Sequence, residues 1–361
     1  MMTRQINRQQ YVLLACGVSV AMTLGVARSA LDAAERGFPE PRGLFALSTG
    51  TQPLPAGVYA EPSLAGVSLR AGWADVEPDR GRFTWPFDAE ITRAVAAGKR
   101  VMLRVASDAR TPAWVYDAGA QPVDFHDRPS AFHAPNTIAR RIPIPWDSVF
   151  LDAWTQCIRA MGAQYSDNDV VVLIQMAGPS AYGGEMHLPK SPDDQARWQR
   201  MGYSKTKLVG AWMRIIDAYG EAFPRTALAL DISTPIWDDG VVEEVIAYAS
   251  TTLGRRFAVQ HNGLHAATQA TSPIHRLVAS YRGRAIVGFQ LLCPVTPRGR
   301  FNHDGARFGG SLDEGLRLGL DAGASYIEIY PVDYRTPAAA RALRETARRW
   351  PEPPGSTTLS R

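Results

Sequence analysis

Three acidic residues stand at or near the ends of predicted buried strands. Glu185 follows an apolar run within a glycine-rich loop, Asp231 ends a second run, and Glu328 lies inside a third. Cleavage of a glycosidic bond commonly uses two carboxyl groups, one protonated to release the leaving group and one ionised as nucleophile or base. The sequence therefore predicts Glu185 as general acid/base and Glu328 as nucleophile or base, with Asp231 as the rival partner.

Further polar residues occupy strand positions that should face inward. In the run around Glu328, alternation points Ile327 and Ile329 outward and Glu328 inward. The same alternation sends polar side chains of other strands inward: Arg70, Arg104, Asp231, Gln260, Asn262 and Gln290. A buried charge is costly without partners, so we expect the arginines and amides among these groups to bind substrate and the two arginines to orient a carboxylate. An arginine-carboxylate network that merely closes the interior is the structural alternative.

Aromatic side chains add to this pattern, because sugar rings dock their apolar faces on Trp and Tyr. Several such residues fall at or beyond predicted strand ends: Trp73, Trp114, Tyr116, Tyr182, Trp237, Tyr330 and Tyr334. Each alone is typical of core or rim packing. Together they favour a carbohydrate site, to which we assign Trp73, Trp114, Tyr182 and Tyr330.

The elements that position these residues are short apolar runs alternating with amphipathic segments. The predicted strands are 43–49, 66–72, 100–106, 170–176, 226–232, 256–262, 285–292 and 325–331. The predicted helices are 87–99, 146–165, 193–223, 238–253, 272–281 and 312–322, with a last helix starting at Thr336-Pro337. Eight alternations without a linker predict a single-domain (β/α)₈ TIM barrel over residues 31–350.

A doubly wound open sheet is the alternative fold. It is disfavoured because no strand is followed by the spaced glycines of a dinucleotide-binding loop; 308–310 is the nearest candidate. The stretch 107–145 is rich in Pro, Asp and His and lacks periodicity. On a barrel it would follow the third strand, where a long loop is typical of a binding site.

The first 30 residues are predicted to be a secretory signal peptide. Arg4 and Arg8 precede an apolar stretch, and Ala27 and Ser29 are small residues suited to a cleavage site. An uncleaved anchor and a lipoprotein modified at Cys16 are the alternatives. We expect an exported protein, periplasmic or extracellular, without stable membrane insertion after cleavage, and with residues 351–361 as a C-terminal tail.

Charge, cysteine content and residue spacing argue against several other kinds of protein, namely nucleic-acid-binding proteins, metalloproteins and serine hydrolases. Cleavage would remove three of the 39 basic residues and none of the 35 acidic ones, so the mature chain is almost neutral and nucleic acid is not implied. Cys157 and Cys293 are expected to be free thiols or one disulfide. We expect no metal, since a glycine after His261 and Asn262 breaks any helix that would align His261 with His265. No cofactor is expected, and Ser180 and Ser233 lack a nucleophile-elbow context.

The first part of the predicted barrel resembles a known family. The relevant segments are LRAGW (69–73), VEPDRGRF (76–83), AGKRVMLR (97–104) and TPAW (111–114). They resemble the start of the barrel in retaining glycosidases of the β-galactosidase and cellulase type. The resemblance implies a (β/α)₈ barrel, a role for Arg70 in supporting the nucleophile, and Glu185 as the acid/base ending the fourth strand.

Two positions depart from the family pattern. Its fourth-strand acid directly follows an asparagine, whereas Glu185 follows two glycines, and its seventh-strand nucleophile is a glutamate where this chain has Gln290. Either the second carboxylate has moved to Glu328 or retaining catalysis is lost. The sequence thus predicts a secreted glycoside hydrolase acting on an oligo- or polysaccharide, with a non-catalytic carbohydrate-binding barrel as the alternative.

Overall fold

The computed structural model describes residues 38–126, 139–234, 236–296 and 306–350. Its strands are β1 (Gly43–Leu47), β2 (Leu64–Gly72), β3 (Arg100–Ala106), β4 (Pro122–His126), β5 (Ala139–Pro143), β6 (Val171–Met176), β7 (Ala227–Asp231), β8 (Phe257–Leu264), β9 (Ile286–Leu291) and β10 (Tyr326–Ile329). Eight of them close a parallel barrel in the order β1-β10-β9-β8-β7-β6-β3-β2. The predicted (β/α)₈ barrel is confirmed, and each predicted strand coincides with a barrel strand. The predicted signal peptide and C-terminal tail lie outside the described residues.

Helices follow the barrel strands and surround them. They are α1 (Ala56–Ala60), α2 (Trp73–Val76), α3 (Asp88–Ala96), α4 (Ala113–Asp117), α5 (Ser148–Tyr165), α6 (Pro192–Arg200), α7 (Lys205–Ala222), α8 (Asp239–Leu253), α9 (Pro273–Ala279), α10 (Leu312–Asp321) and α11 (Pro337–Ala347). Within the described ranges, none combines the length and apolar composition that spanning a bilayer requires.

The predicted single helix over 193–223 is wrong, because two helices occupy that stretch. Helix α6 ends at Arg200, and Gly202 then adopts φ 75°, a left-handed conformation that glycine tolerates best. Helix α7 then begins with Ser204 as its N-cap, and the Ser204 side chain accepts a hydrogen bond from the backbone amide of Lys207. The break was readable as Gly followed by Ser, but the amphipathic pattern continues through it.

The predicted long loop after β3 contains α4 and an antiparallel hairpin formed by β4 and β5. Phe125 of the hairpin packs edge-on against Tyr182, with ring centroids 6.3 Å apart. Arg197 Nη1 of α6 donates to the carbonyl of Asp124 at 2.7 Å. The hairpin is thereby fixed beside the loop that follows β6, where Glu185 lies.

The two cysteines of the barrel are buried and not bonded to each other. Burial raises the pKa of the Cys157 thiol well above its usual value, so it behaves as an apolar core residue. Of the two alternatives from the sequence, the free-thiol state is the one observed.

Candidate active site

Strand register brings the inward polar residues to adjacent positions in the barrel. Arg70 of β2 pairs in register with Arg104 of β3, and Gln290 of β9 pairs with Glu328 of β10. Asp231 of β7 likewise pairs with Gln260 of β8. Because the strands are parallel, these side chains meet at one end of the barrel interior, the end where catalytic groups of such barrels lie.

Glu328 has no exposed surface and is held by three side chains. Arg70 Nη2 lies 3.1 and 3.0 Å from its two carboxylate oxygens, and the amide nitrogens of Gln175 and Gln260 donate to Oε2 at 2.9 and 2.7 Å. Burial raises the pKa of Glu328, but Arg70 and the other donors outweigh it, so the net pKa lies below its usual value.

Glu328 is therefore an ionised carboxylate with no surface available to a sugar. This arrangement argues against its predicted role as nucleophile or base, since a nucleophile must reach the anomeric carbon. The sequence pattern pointed its side chain inward but carried no information on how deep that position lies. Gln175 of β6, which the sequence did not assign to the site, contacts Glu328 by a hydrogen bond of 2.9 Å.

Asp231 is also buried, but it has fewer donors. Arg104 Nη1 lies 2.9 Å from Oδ2, and Asn262 Nδ2 donates to the same oxygen at 3.1 Å. The other oxygen, Oδ1, is buried without a hydrogen-bond partner. Burial raises the pKa of Asp231 to about 6, against the opposing effect of Arg104. A carboxyl group that titrates near neutral pH is suited to proton transfer.

Glu185 lies in a tight turn between β6 and α6. Gly183 and Gly184 adopt φ 61° and 95°, and a Cβ on Gly184 would come within 3.0 Å of the Ala177 side chain. The two glycines thus let the turn approach the end of β6 closely. The amide of Met186 donates to the carbonyl of Asp231 at 3.3 Å, which joins this turn to the end of β7.

One amide group links the two carboxylates near the barrel mouth. Asn262 Nδ2 is 3.1 Å from Glu185 Oε1 and 3.1 Å from Asp231 Oδ2. These two oxygens therefore lie no more than about 6 Å apart, a spacing in keeping with paired catalytic carboxyl groups. Glu328 is linked to Glu185 through two amides, Gln260 and Asn262, whereas Asp231 is linked to Glu185 through Asn262 alone.

A cleft of about 440 Å³ opens above this network. It is lined by Tyr182, Glu185, His187, Ser233, His261, Asn262, Gly263, Gln290, Leu292, Arg307 and Tyr330. Of the predicted site residues, Glu185, Tyr182, Asn262, Gln290 and Tyr330 thus border the cleft. Arg70, Arg104, Asp231, Gln260 and Glu328 contact one another or these residues from below.

Trp73 and Trp114 do not line this cleft. Trp73 has no exposed surface, donates to Glu77 Oε2 at 2.8 Å and packs against Trp154 with centroids 4.9 Å apart. Trp114 is half-buried, meets Trp73 edge-on and donates to the carbonyl of Glu77 at 3.1 Å. Both tryptophans pack beside the barrel and hold Glu77, so the predicted substrate-binding role of Trp73 is replaced by a core role.

His187, His261 and Arg307 are cleft residues that the sequence analysis did not assign to binding. Burial lowers the pKa of His261 to about 4, so its imidazole is neutral at physiological pH. Alternation along β8 sends Gln260 and Asn262 inward and His261 outward, so it could not have identified His261; the pairing of β8 with β9 is irregular between His261 and Leu264, and His261 lines the cleft. No sequence signal placed Arg307 here. In the described part of the chain, no three His, Cys, Asp or Glu side chains are grouped to hold a metal ion.

Comparisons with known proteins agree with this architecture. A family model described as beta-galactosidase (glycoside hydrolase 42) matches residues 61–220. A β-galactosidase from the psychrophilic Marinomonas ef1 superposes with a TM-score of 0.52 at 12% identity, covering 85% of this chain and 59% of that one. Xylanase 10B from Thermotoga maritima gives 0.51 at 9% identity over 86% and 95%. No curated protein sequence matches the chain significantly.

The extent of the family match divides the site. Arg70, Arg104 and Glu185 lie inside the matched residues, whereas Asp231 and Gln290 lie beyond them. The structures superposed at this level of identity establish the shared barrel, and the chain spans less than two thirds of the Marinomonas β-galactosidase. Residues 61–220 of this chain thus resemble the β-galactosidase family, as the sequence motifs between residues 69 and 114 predicted.

Proposed function

We propose that the chain is a glycoside hydrolase in which Glu185 is the general acid/base and Asp231 the second carboxylate. The observation that carries this proposal is the Asn262 amide nitrogen, which contacts both carboxylates at 3.1 Å beside a cleft. The β-galactosidase family match over the strands that position Glu185 supports it. The cleft borders Tyr182 and Tyr330, whose rings suit the apolar face of a sugar.

In this mechanism Glu185, half-buried at the cleft, donates a proton to the departing glycosidic oxygen. Asp231 is the second carboxylate. Above its pKa of about 6 it is ionised, and its charge stabilises the positive charge that develops on the sugar as the bond breaks and water adds. Asp231 is 1% exposed and is not among the residues that line the cleft, so it acts on the sugar through its charge and not as a nucleophile in contact with it. The proposed substrate is an oligo- or polysaccharide, and the mechanism needs no cofactor.

The test is turnover on a panel of aryl glycosides and oligosaccharides by wild type, Glu185→Gln and Asp231→Asn. We expect each substitution to lower kcat by at least about 100-fold, the usual contribution of a general acid or base. Asp333→Asn is the matched control, since Asp333 is also 1% exposed, has an unpartnered oxygen and a raised pKa, but does not border the cleft. Carbohydrate binding without turnover in any protein, wild type included, would refute the enzyme.

One observation favours a second function, a carbohydrate-binding barrel without hydrolysis. Gln290 borders the cleft at the end of β9, and its Oε1 accepts from Arg70 at 2.6 Å. The resemblance assigns that place to the nucleophilic glutamate and that contact to its supporting arginine. A neutral amide there can hold a sugar hydroxyl but cannot form a glycosyl ester.

Export is proposed from residues 1–30, which have the pattern of a signal peptide. N-terminal sequencing of the protein recovered from the periplasm or medium tests this. A mature N-terminus shortly after Ser29 is expected. Intact residue 1 in a cytoplasmic fraction would contradict it.

A further inference from the structure

An amide chain joins the buried carboxylate Glu328 to the cleft. Glu328 Oε2 accepts from Gln260 Nε2 at 2.7 Å, and the same nitrogen lies 2.7 Å from Asn262 Oδ1. Asn262 Nδ2 then faces Glu185 and Asp231. Glu328 and Gln260 have no exposed surface, and Asn262 has 8%. Glu328 and Gln260 are therefore shielded from water, which otherwise could satisfy an amide in either orientation, and Asn262 meets solvent only at the cleft.

The chemistry of the end groups fixes the direction of the chain. An ionised carboxylate only accepts hydrogen bonds, whereas a side-chain amide donates from one end and accepts at the other. Glu328 therefore requires the nitrogen of Gln260, and the oxygen of Gln260 accepts from the Tyr326 hydroxyl at 2.5 Å. That nitrogen in turn faces the oxygen of Asn262, so the Asn262 nitrogen is left to point at the cleft carboxylates.

We propose that Glu328 is a positioning residue which, through Gln260, holds the Asn262 amide with its nitrogen toward Glu185 and Asp231. A reversed Asn262 would place its carbonyl oxygen against two carboxylates, a repulsive contact in a buried setting. The position of the carboxylates relative to each other then depends on a residue that never meets substrate. Only the catalytic consequence of this relay rests on the proposed function.

The chain offers a matched pair of variants. Gln175 and Gln260 both have no exposed surface, and both donate to Glu328 Oε2, at 2.9 and 2.7 Å. Gln260 alone of these two contacts Asn262. Replacing either by methionine keeps side-chain length and removes one donor to Glu328. Gln260→Met also removes the contact to Asn262. Gln175→Met removes a second, longer bond, from Gln175 Nε2 to Gln260 Oε1 at 3.2 Å, but Gln260 keeps the Tyr326 hydroxyl at that oxygen and its contact to Asn262.

The direct readout is the side-chain amide signal of Asn262 in protein labelled with ¹⁵N-asparagine. The chain contains five asparagines, and loss of one signal pair in Asn262→Asp assigns it. In wild type we expect slow hydrogen exchange for this pair and a shift as Asp231 titrates, at a pH near 6. Gln260→Met should speed exchange and move the pair, while Gln175→Met should leave both close to wild type.

The second readout is turnover. Gln260→Met should lower kcat/KM about tenfold, the scale of one hydrogen bond to a charged group, and Gln175→Met less than about threefold. Equal effects of the two variants on the Asn262 signal, or none from either, would overturn the relay. A wild-type signal that ignores pH would do so without any variant. A signal that behaves as expected in proteins that turn over nothing would instead refute the proposed hydrolase and keep the relay.

Discussion

Two arginine-carboxylate pairs of similar length lie in the barrel, yet their acids differ in protonation. Arg70 lies 3.0 Å from Glu328 and Arg104 lies 2.9 Å from Asp231, and both acids are buried. The pKa of Glu328 is nevertheless lowered, while burial raises the pKa of Asp231 to about 6. The length of the ion pair therefore does not decide how a buried acid titrates.

The number of donors around each acid accounts for the difference. Both oxygens of Glu328 accept from Arg70, and two amides add to Oε2. Asp231 accepts from Arg104 and Asn262 at one oxygen, and its other oxygen has no partner. Hydrogen bonds to the charged form offset desolvation at Glu328 but not at Asp231. The Arg70–Glu328 pair therefore stays charged, whereas Asp231 of the Arg104–Asp231 pair can gain or lose a proton.

Replacing each arginine should give the largest difference in stability between the two pairs. Arg70→Met leaves Glu328 ionised without a counter-ion, and we expect a loss of about 3 to 5 kcal/mol in the free energy of unfolding at pH 7. Arg104→Met should cost about half as much, because Asp231 can take up a proton instead. Urea denaturation at pH 7 measures both. Equal losses would show that the two pairs do not differ as their donors imply.

The pH dependence of stability should show Asp231 directly. Its folded pKa of about 6 lies above the ordinary value of 3.8, so between these pH values the native state binds more protons than the unfolded chain. Stability should therefore fall as the pH rises from about 4 to about 6, by about 3 kcal/mol from this group. Asp231→Asn should remove that fall.

Glu328 should behave in the opposite sense. Its folded pKa is lowered, so its contribution is present above the unfolded value and is lost as the pH drops through the folded pKa. The comparison of Asp231→Asn with Glu328→Gln across pH 3 to 7 therefore uses one series of unfolding curves. A wild-type curve that rises from pH 4 to pH 6, with no change in Asp231→Asn, would contradict the raised pKa.

Sequence reasoning located the barrel because strand and helix periodicity is local. It also identified Arg70, Asp231, Gln260 and Asn262 as inward-facing, since alternation along a strand requires no knowledge of other strands. Alternation along a strand does not tell how deeply an inward-facing side chain is buried. Glu328 and Glu185 both looked like cleft acids, but only the packing of Gln175 and Gln260 around Glu328 decides which one is covered.

The error at Trp73 has a similar origin. It follows β2 directly, where a sugar platform was expected, but the chain turns at once into the short helix α2 and buries the ring. A residue at a strand end can point to the barrel mouth or back under the helices, and the turn that decides this depends on tertiary contacts. Glu185 was predicted from its place just after a buried strand, and it borders the cleft.

Placing a glutamate at position 290 tests how Arg70 tolerates a second carboxylate beside Glu328. Gln290 and Glu328 are register partners, and Arg70 Nη2 contacts both. Gln290→Glu puts two carboxylates on one guanidinium nitrogen, and we expect it to destabilise the fold by about 2 kcal/mol at pH 7. Gln290→Glu combined with Glu328→Gln restores a single charge and should recover most of that loss. Thermal or urea unfolding of the four proteins gives the coupling.

Wild type, Gln290→Glu, Glu328→Gln and the double variant also test the second function, carbohydrate binding without hydrolysis. If hydrolysis appears only in the double variant, the wild-type barrel is a binding protein whose charge had moved from position 290 to Glu328. Hydrolysis already present in wild type, and reduced in Gln290→Glu, supports the pairing of Glu185 with Asp231.

The smallest expected effect concerns the turn that presents Glu185. Gly184→Ala adds a Cβ 3.0 Å from the Ala177 side chain at a residue with φ 95°, where an L side chain is strained. We expect a loss of about 1 to 2 kcal/mol in the free energy of unfolding. Gly183→Ala, at φ 61° with its nearest contact the Arg104 side chain at 3.5 Å, is the milder control. Because only the first change pushes the turn away from β6, it alone should lengthen the Glu185–Asn262 contact and lower turnover. Equal turnover in Gly184→Ala and Gly183→Ala would show that Glu185 acts without an exact position. Glu185 would then differ from Glu328, which its hydrogen bonds hold in one place.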